Sequence, residues 1–352
     1  SYSVTGVQTC ALPIYLLRAN LLKPTLRVLD LGSGPGTIGL SLIDALARIR
    51  QLWPGGQQAP ELSLDLQQVD LDAEFVEAAH WLINYYSNQF EGVSCSLHPT
   101  VTGSLLDEAV WSQVQGKQYD LIVFCNVLNE LSMLSWPERA KLVQHYSEAL
   151  APDGTLVLIE PAVEEASLGV REVQTSLIEA GWTLFAPCYI TAETFTPEVC
   201  RKCWWVDGEG VAPIRLIQEL GLMRLNTRFT WALLRKDGRS RHEALLQQGF
   251  EIPAFEPGKE ELVGFCAGSN LYRDKHFRYK LCDARHGANY VHLLGYKQLI
   301  SDSNQQLRAL RPGDLVCVHP AEFTTRDDGT PVSSDWVVHV GRTSELAKLE
   351  PR

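Results

Sequence analysis

The chain has 352 residues and a formal net charge of −11, with 45% hydrophobic and 21% charged residues. This composition is ordinary for a soluble globular protein of more than one domain and excludes wholesale disorder. No apolar run approaches the roughly 18 residues of a membrane-spanning helix. Nine cysteines in a chain of this length fit a reducing compartment rather than a secreted disulfide framework, so we expect a cytoplasmic, bacterial protein.

The first residues show no sequence pattern that is typical of a folded segment. Val4–Ile14 (VTGVQTCALPI) has neither a helical nor a strand period and resembles the translation of a sequencing-adapter read-through. We therefore leave residues 1–14 out of the fold prediction. The natural N-terminus is then expected to be missing, together with any organellar targeting peptide that it carried.

A strand, a glycine-rich turn and a helix follow one another in LRVLDLGSGPGTIGL, with the strand at Leu26–Leu31 and the helix from Ile38. The turn contains G-x-G-x-x-G, which on its own is weak evidence for a dinucleotide. Asp30 at the strand end would repel a pyrophosphate, whereas it suits the cationic ammonium and sulfonium of S-adenosylmethionine (SAM). VLDLGSGPGT resembles the first motif of class I methyltransferases. The predicted ligands of the amino-acid end of SAM are Asp30, Gly32, Ser33, Gly34 and Gly36.

Polar residues at the ends of the next strands extend this predicted site. Asp70 ends a second strand, where an acidic side chain can accept both ribose hydroxyls, and Asp72 is predicted to be a helix N-cap. Tyr119–Leu131 reads as a buried parallel strand running into a helix. Asn126 at its carboxyl end and the loop of Ser104 would border the adenine and the methyl group. Asn126 as a plain turn residue is an equal alternative.

The complete pattern predicts an α/β fold of the class I methyltransferase type, Rossmann-like, with a seven-stranded sheet. We place the methyltransferase domain at residues 15–240. Its last two strands, Trp182–Cys188 and Arg228–Lys236, are expected to form an antiparallel edge pair, with a cysteine-bearing insertion at 188–227. Short β-type runs indicate a small β-rich domain at 262–345, for which an OB-like barrel is one option.

The order of motifs resembles the methyltransferase-like proteins of small-ribosomal-subunit assembly, found in bacteria and mitochondria. The resemblance runs from about residue 20 to 290 through VLDLGSGPGT, YDLIVFCNVLNEL, GTLVLIEP, LFAPC, CWWV, RFTWALLRK and VGFCAGSN. It implies a SAM-binding protein that acts on, or assembles, the small subunit and its rRNA. It also implies a [4Fe–4S] cluster on four cysteines, which by matched position are Cys188, Cys200, Cys203 and Cys266.

The residues themselves leave the metal open. Four thiolates can hold zinc or an iron–sulfur cluster, and free thiols in a packed loop are a third option. Cys282 is a rival ligand to Cys200. For Cys95, Cys125 and Cys317, which lie in apolar contexts, we predict core positions.

Charge is unevenly distributed along the chain. Counting Asp, Glu, Lys and Arg, residues 1–265 sum to −13, residues 266–300 to +4 and residues 301–352 to −2. Basic and aromatic residues interleave in 272–297, which is typical of RNA-contacting strands, although a solvated sheet face has a similar pattern. We expect this segment to contact rRNA.

No catalytic residue can be named from the sequence. CNVLNE stands where an exocyclic-amine methyltransferase has its N-P-P-Y tetrad, so the usual carbonyl acceptors are absent. Three hypotheses therefore remain: an rRNA methyltransferase, a non-catalytic assembly factor that binds RNA, and a small-molecule methyltransferase.

Overall fold

The computed structural model describes two compact units, and Cys188, Cys200 and Cys203 lie outside the described residues. The first unit comprises Ser1–Trp182 and Gly208–Gly238, and the second comprises Thr183–Asp207 and Arg239–Arg352. The described residues are 21, 23–51, 61–187, 197, 207–211, 226–247, 262–266, 275–282, 291–310, 314–320, 322–324, 326–327 and 336–348.

A mixed sheet forms the centre of the α/β fold, as the sequence predicts, but it has nine described strands rather than the predicted seven, because two short strands pair beside the main path of seven. Its order is β3-β2-β1-β5-β6-β9-β7, with β4 beside β2 and β8 beside β9. The pairs from β3 to β6 are parallel, and β9 runs antiparallel to β6. The strands are β1 Thr25–Leu31, β2 Leu62–Asp70, β3 Val93–Leu97, β4 Val101–Thr102, β5 Tyr119–Cys125, β6 Leu150–Pro161, β7 Thr183–Ala186, β8 Asp207–Val211 and β9 Asn226–Arg235.

Helices cover this sheet because its central strands are apolar on both sides. In β5 every residue before Cys125 is buried, which is the pattern of a parallel strand packed on both faces. Asp72 caps the second helix by accepting from Glu74 N and Phe75 N, so its predicted N-cap role is confirmed. No described helix combines the length and apolarity required to cross a bilayer. The described helices of the first unit are α1 Thr37–Gln51, α2 Ala73–Ser87, α3 Glu108–Val114, α4 Trp136–Tyr146 and α5 Glu164–Glu179, and α6 Arg241–Gln247 belongs to the second unit.

The chain after β5 differs from the prediction of a strand running directly into a helix. Only one 3₁₀ turn, Leu128–Glu130, follows β5, and α4 begins at Trp136. The start of α4 is set by a capping box in which Ser135 N donates to Glu138 Oε2 at 2.7 Å. The resulting loop, residues 126–135, lies at the carboxyl edge of the sheet.

The second unit contains a separate seven-stranded sheet with the order β14-β15-β12-β11-β10-β13-β16. Its pairs are antiparallel except β12 and β15, which are parallel. Alternate residues such as Tyr279, Leu281 and Leu293 are buried in its core. Its domain limits and OB-like character stay predictions. The strands are β10 Leu262–Cys266, β11 His276–Cys282, β12 Val291–Tyr296, β13 Leu315–His319, β14 Glu322–Phe323, β15 Trp336–Val340 and β16 Glu345–Lys348.

Candidate cofactor site

The glycine turn lies between β1 and α1 at the carboxyl edge of the first sheet. Gly32 N and Ser33 N both donate to Val69 O, at 2.9 and 3.1 Å, which ties the turn to the neighbouring strand β2. Gly32 has φ +71° and Gly36 has φ +84°, values at which a side chain is strained. The turn therefore depends on glycine, and its backbone is held open toward the end of the strands.

Asp30 at the end of β1 is a fully buried carboxyl group. Neither of its oxygens has a hydrogen-bond partner among the described residues. Burial raises the pKa of Asp30 to about 7, and the charge of Asp70 adds to this rise. Gln68 lies opposite Asp30 in the strand register. Its side-chain amide lowers the pKa of Asp30, although the two side chains form no hydrogen bond of ordinary geometry. A cation bound beside Asp30 would stabilise its ionised carboxylate, and the ammonium of SAM is such a cation.

Further polar atoms without a partner lie near the same edge of the sheet. Ser33 Oγ, both amide atoms of Gln68 and Asn126 Oδ1 are buried, and none has a hydrogen-bond partner within the described ranges. Buried polar groups are nearly always hydrogen-bonded, so orphaned ones call for a ligand or water. Because these residues stand at the ends of β1, β2 and β5, the orphaned atoms fit a polar cofactor beside the glycine turn.

Asp70 at the end of β2 has a role that the sequence did not reveal. Its Oδ2 accepts from Gly34 N at 2.7 Å and its Oδ1 from Asp72 N at 2.9 Å. The carboxylate predicted to hold the ribose therefore also holds the glycine turn. Each oxygen has a further lone pair, so both roles are compatible.

The Ser104 loop is joined to this region through the backbone. Gly103 N donates to Asp70 O at 2.9 Å, and Ser104 Oγ accepts from Leu106 N at 3.2 Å. The structure thus brings the loop of Ser104 to the end of β2. A contact of Ser104 with adenine stays a prediction.

Asn126 follows β5 with φ +57°, a left-handed conformation in which asparagine is enriched. It is therefore a turn residue, as one interpretation had it, while its orphaned Oδ1 leaves the ligand role open. Behind it lies Glu160, a fully buried carboxyl group that the sequence analysis missed. An acidic residue inside the apolar run LVLIEP was the available signal.

Of the four predicted metal ligands, only Cys266 lies within the described residues. Cys266 ends β10, and its backbone pairs with that of Leu281, while the rival Cys282 pairs with Phe265. The described residues contain no group of three or more metal-type side chains, and the other three predicted ligands fall outside them. The metal site stays a prediction.

The three cysteines predicted to be core residues all lie within the described part of the chain. Cys95, Cys125 and Cys317 form no disulfide and are half-buried rather than fully buried. Burial raises the pKa of Cys95 to about 11, and that of Cys125 well above the usual value. Neither thiol is ionised near neutral pH, which is unfavourable for a metal ligand.

The chain belongs to the methyltransferase domain family, whose model matches residues 8–208, more than half of the chain. The predicted class I SAM-dependent methyltransferase fold and its cofactor, SAM, agree with this membership. Highly reducing polyketide synthase 40 of Fusarium pseudograminearum (strain CS3096) is 28% identical over 163 residues. That match covers 45% of this chain and only 5% of the synthase.

Solved structures resemble parts of this chain at low sequence identity and low TM-score. A SAM-dependent methyltransferase from Leishmania major is 14% identical, with 64% of this chain and 71% of that chain covered and a TM-score of 0.37. A TehB-like SAM-dependent methyltransferase from Corynebacterium glutamicum is 18% identical, with 62% and 86% covered and a TM-score of 0.30. These likenesses concern the fold alone.

Proposed function

We propose that this chain is a SAM-dependent methyltransferase whose acceptor is the RNA of the small ribosomal subunit. The motif order of the sequence supports this acceptor. The structural observation that carries it is a basic and aromatic surface on the second sheet. We call this surface the outer face and define it as His276, Arg278, Lys280, Leu294, Tyr296 and His339.

The outer face follows from the alternation of side chains along β11. Phe277, Tyr279 and Leu281 are buried in the core of the second unit, so the residues between them stand on the opposite side. The strand register places His276 opposite Tyr296, and Leu294 between Arg278 and His339. Residues of three neighbouring strands therefore share one surface.

The charge of the outer face complements a phosphate backbone. Of the six residues that define the outer face, Arg278 and Lys280 are basic and none is acidic, while Glu322 stands opposite His339 at its border. The guanidinium of Arg278 donates from Nε to Nδ1 of the buried His292 at 3.1 Å, which fixes its position. Lysine and arginine contacts to phosphates supply most of the non-specific affinity for nucleic acid.

Aromatic rings on the outer face offer stacking surfaces for bases. Tyr296 is 37% exposed, and its ring lies 6.5 Å from that of His339 at an interplanar angle of 5°. The His276 ring lies 5.9 Å away on the edge of Tyr296. Aromatic rings flanked by basic residues are the usual platform for single-stranded RNA.

For the chemistry, we propose that the residues of the candidate cofactor site hold and orient the reactants rather than exchange protons with them. Bound SAM would supply an electrophilic methyl group. Asp30 would bind its ammonium, Asp70 its ribose, and Asn126 would border the reacting centre. None of these is assigned as a catalytic base, so the expected rate enhancement comes from alignment at near-contact distance.

A four-cysteine metal site accompanies this proposal. The sequence resemblance supports a [4Fe–4S] cluster on Cys188, Cys200, Cys203 and Cys266, with zinc as the alternative. Iron, sulfide and zinc should be measured on protein purified without oxygen, together with Cys188→Ser and the control Cys95→Ser. Stoichiometric metal that is lost only in Cys188→Ser supports the site, and metal-free native protein refutes it.

The acceptor is tested with labelled SAM and immature small subunits. We expect label in rRNA, and loss of that label in a Lys280→Glu/Tyr296→Ala double variant that still binds S-adenosylhomocysteine. Subunit binding without label would instead indicate a non-catalytic assembly factor. Failure of the wild-type chain to bind subunits would refute the ribosomal proposal.

A small-molecule acceptor is the second candidate, because large apolar side chains are exposed at the carboxyl edge of the first sheet. Leu71 after β2, Leu106 after β4 and Met133 after β5 are 73%, 44% and 69% exposed. Apolar rims of this kind often line ligand sites. Methylation of small apolar acceptors that is abolished by Met133→Ser, with rRNA left unlabelled, would favour this candidate.

A further inference from the structure

Glu160 is a buried carboxyl group that binds the loop after β5. It lies one residue before the end of β6 and has no solvent exposure. Its Oε1 accepts from Leu128 N at 2.8 Å, and its Oε2 accepts from Asn129 N at 3.3 Å. These N–H groups open the 3₁₀ turn Leu128–Glu130 and have no partner within it. A side chain from another strand therefore caps this turn.

The residue before Glu160 holds the same loop through its backbone. Asn126 N donates to Ile159 O at 2.8 Å. Two consecutive residues of β6 thus bind three N–H groups in the four residues 126–129. This attachment holds Asn126 at φ +57°, a left-handed conformation that is uncommon for residues other than glycine, although asparagine adopts it more readily than most.

The loop in turn contacts the glycine turn. A Cβ built on Gly32 would lie 2.5 Å from Cγ2 and 2.7 Å from Cβ of Val127. Val127 stands between Asn126 and the two residues bound by Glu160. The position of this short segment therefore determines both the space beside Gly32 and the place of the Asn126 side chain.

We propose that Glu160 is a positioning residue for the cofactor site, which it controls by fixing residues 126–129 against Gly32. This inference rests on the proposed function only in one respect, namely that the glycine turn binds SAM. Glu160 contacts the loop rather than the ligand, so its effect is indirect. Removing the acceptor leaves two N–H groups of the loop unsatisfied, and a penalty of this kind changes an affinity about tenfold or more when the site depends on the loop.

The test compares Glu160→Ala and Glu160→Gln with Thr155→Val. Glutamine keeps one acceptor for the loop, whereas alanine keeps none. Thr155 is buried in the same strand and accepts from Arg235 Nη1 at 2.8 Å, so Thr155→Val breaks a buried hydrogen bond away from the loop. S-adenosylhomocysteine affinity is measured by calorimetry, and amide exchange of residues 126–129 by mass spectrometry.

We expect Glu160→Ala to weaken S-adenosylhomocysteine binding about tenfold and Glu160→Gln to restore part of it. Exchange at 126–129 should accelerate in both, while Thr155→Val binds like wild type. Unchanged exchange in Glu160→Gln, or equal loss of affinity in Thr155→Val, would overturn the proposal. If Glu160→Ala does not fold, Glu160→Gln decides. If wild type does not bind the ligand, the cofactor assignment fails, while the exchange data still decide whether Glu160 holds the loop.

Discussion

Val127 occupies the space that a side chain on Gly32 would need. Its Cγ2 lies 2.5 Å from the position of a Cβ on Gly32, much closer than two carbon atoms can approach. Gly32 therefore serves two purposes, since it adopts φ +71° and also admits the loop after β5. The glycine turn and this loop are packed as one surface at the carboxyl edge.

Gly32→Ala should abolish measurable S-adenosylhomocysteine binding and lower the free energy of unfolding by about 2–4 kcal/mol, because strain at positive φ adds to a clash with Val127. Gly34→Ala is the matched control. Gly34 has φ +50° but no atom within 4 Å of a built Cβ, so only strain is expected, at about 1–2 kcal/mol. Calorimetry and urea unfolding measure both quantities. Because Gly34 is itself a predicted ligand of SAM, the comparison rests on unfolding, and equal losses in the free energy of unfolding would contradict the packing of Val127 on Gly32.

Binding of SAM should tighten as the pH rises through about 7, the pKa of Asp30. A cationic ligand favours the ionised carboxylate, so below pH 7 binding must release a proton, at a cost of up to tenfold in affinity per pH unit. Above the pKa the affinity should level off. Asp30→Asn should bind weakly with a flat profile between pH 6 and 8, as titration calorimetry would show. A pH dependence that persists in Asp30→Asn would assign it to another group.

The ligand-free protein should lose stability as the pH rises from about 4 to about 8. The pKa of Asp30 is raised from 3.8 to about 7 and that of Glu160 from 4.5 to about 8, in both cases chiefly by burial. The unfolded chain releases these protons first, so the free energy of unfolding falls from about pH 4 to pH 8. Asp30→Asn should remove the part of this fall that comes from Asp30, which is complete near pH 7. A slope unchanged in this variant would exclude Asp30 as its source.

Asp70→Asn should weaken S-adenosylhomocysteine binding by about 10- to 100-fold, because an amide oxygen can replace only part of the acceptor capacity used by Gly34 N, Asp72 N and the ribose. Asp72→Asn is the control, since asparagine is an equally good N-cap. Calorimetry should show nearly native affinity in the control. Equal losses in both would point to a general effect of charge.

Arg171→Met should lower the free energy of unfolding by about 2–4 kcal/mol, since buried partners lose their donor. The fully buried guanidinium donates to Gln174 Oε1 at 2.5 Å, to Thr230 Oγ1 at 3.1 Å and to Trp231 O at 2.9 Å, joining α5 to β9. In the control Arg48→Met, an exposed i,i+4 ion pair with Asp44 is lost, at a cost below about 1 kcal/mol. Urea unfolding distinguishes them, and similar losses would refute the structural role of Arg171.

The sequence predicted the positions of those candidate-site residues that depend on local chain geometry. A strand, a glycine turn and a helix are adjacent in sequence, so Asp30 and Gly32 could be assigned without tertiary information. Asp72 was recognised as a helix cap for the same reason. The carboxyl ends of parallel strands share one edge, which placed Asp70 and Asn126 near that turn.

The contacts between distant segments could not be read from the sequence. The bond from Gly34 N to Asp70 and the capping of Leu128 by Glu160 join residues 36 and 32 positions apart. No spacing rule distinguishes such a carboxylate from a solvated one. The delayed start of α4 was also missed, because the apolar residues of VLNEL suggested a helix while the capping box at Ser135 set its true beginning.

The parallel pairing of β12 with β15 has a consequence for how the second unit is completed during synthesis. The free edge of β12 (Val291–Tyr296) can be covered only after β15 (Trp336–Val340) has been synthesised. Until then the nascent chain lacks Val338 and Val340, both of which belong to the finished core. A truncation before Trp336 would therefore leave an exposed strand edge, prone to self-association, rather than a shorter folded product.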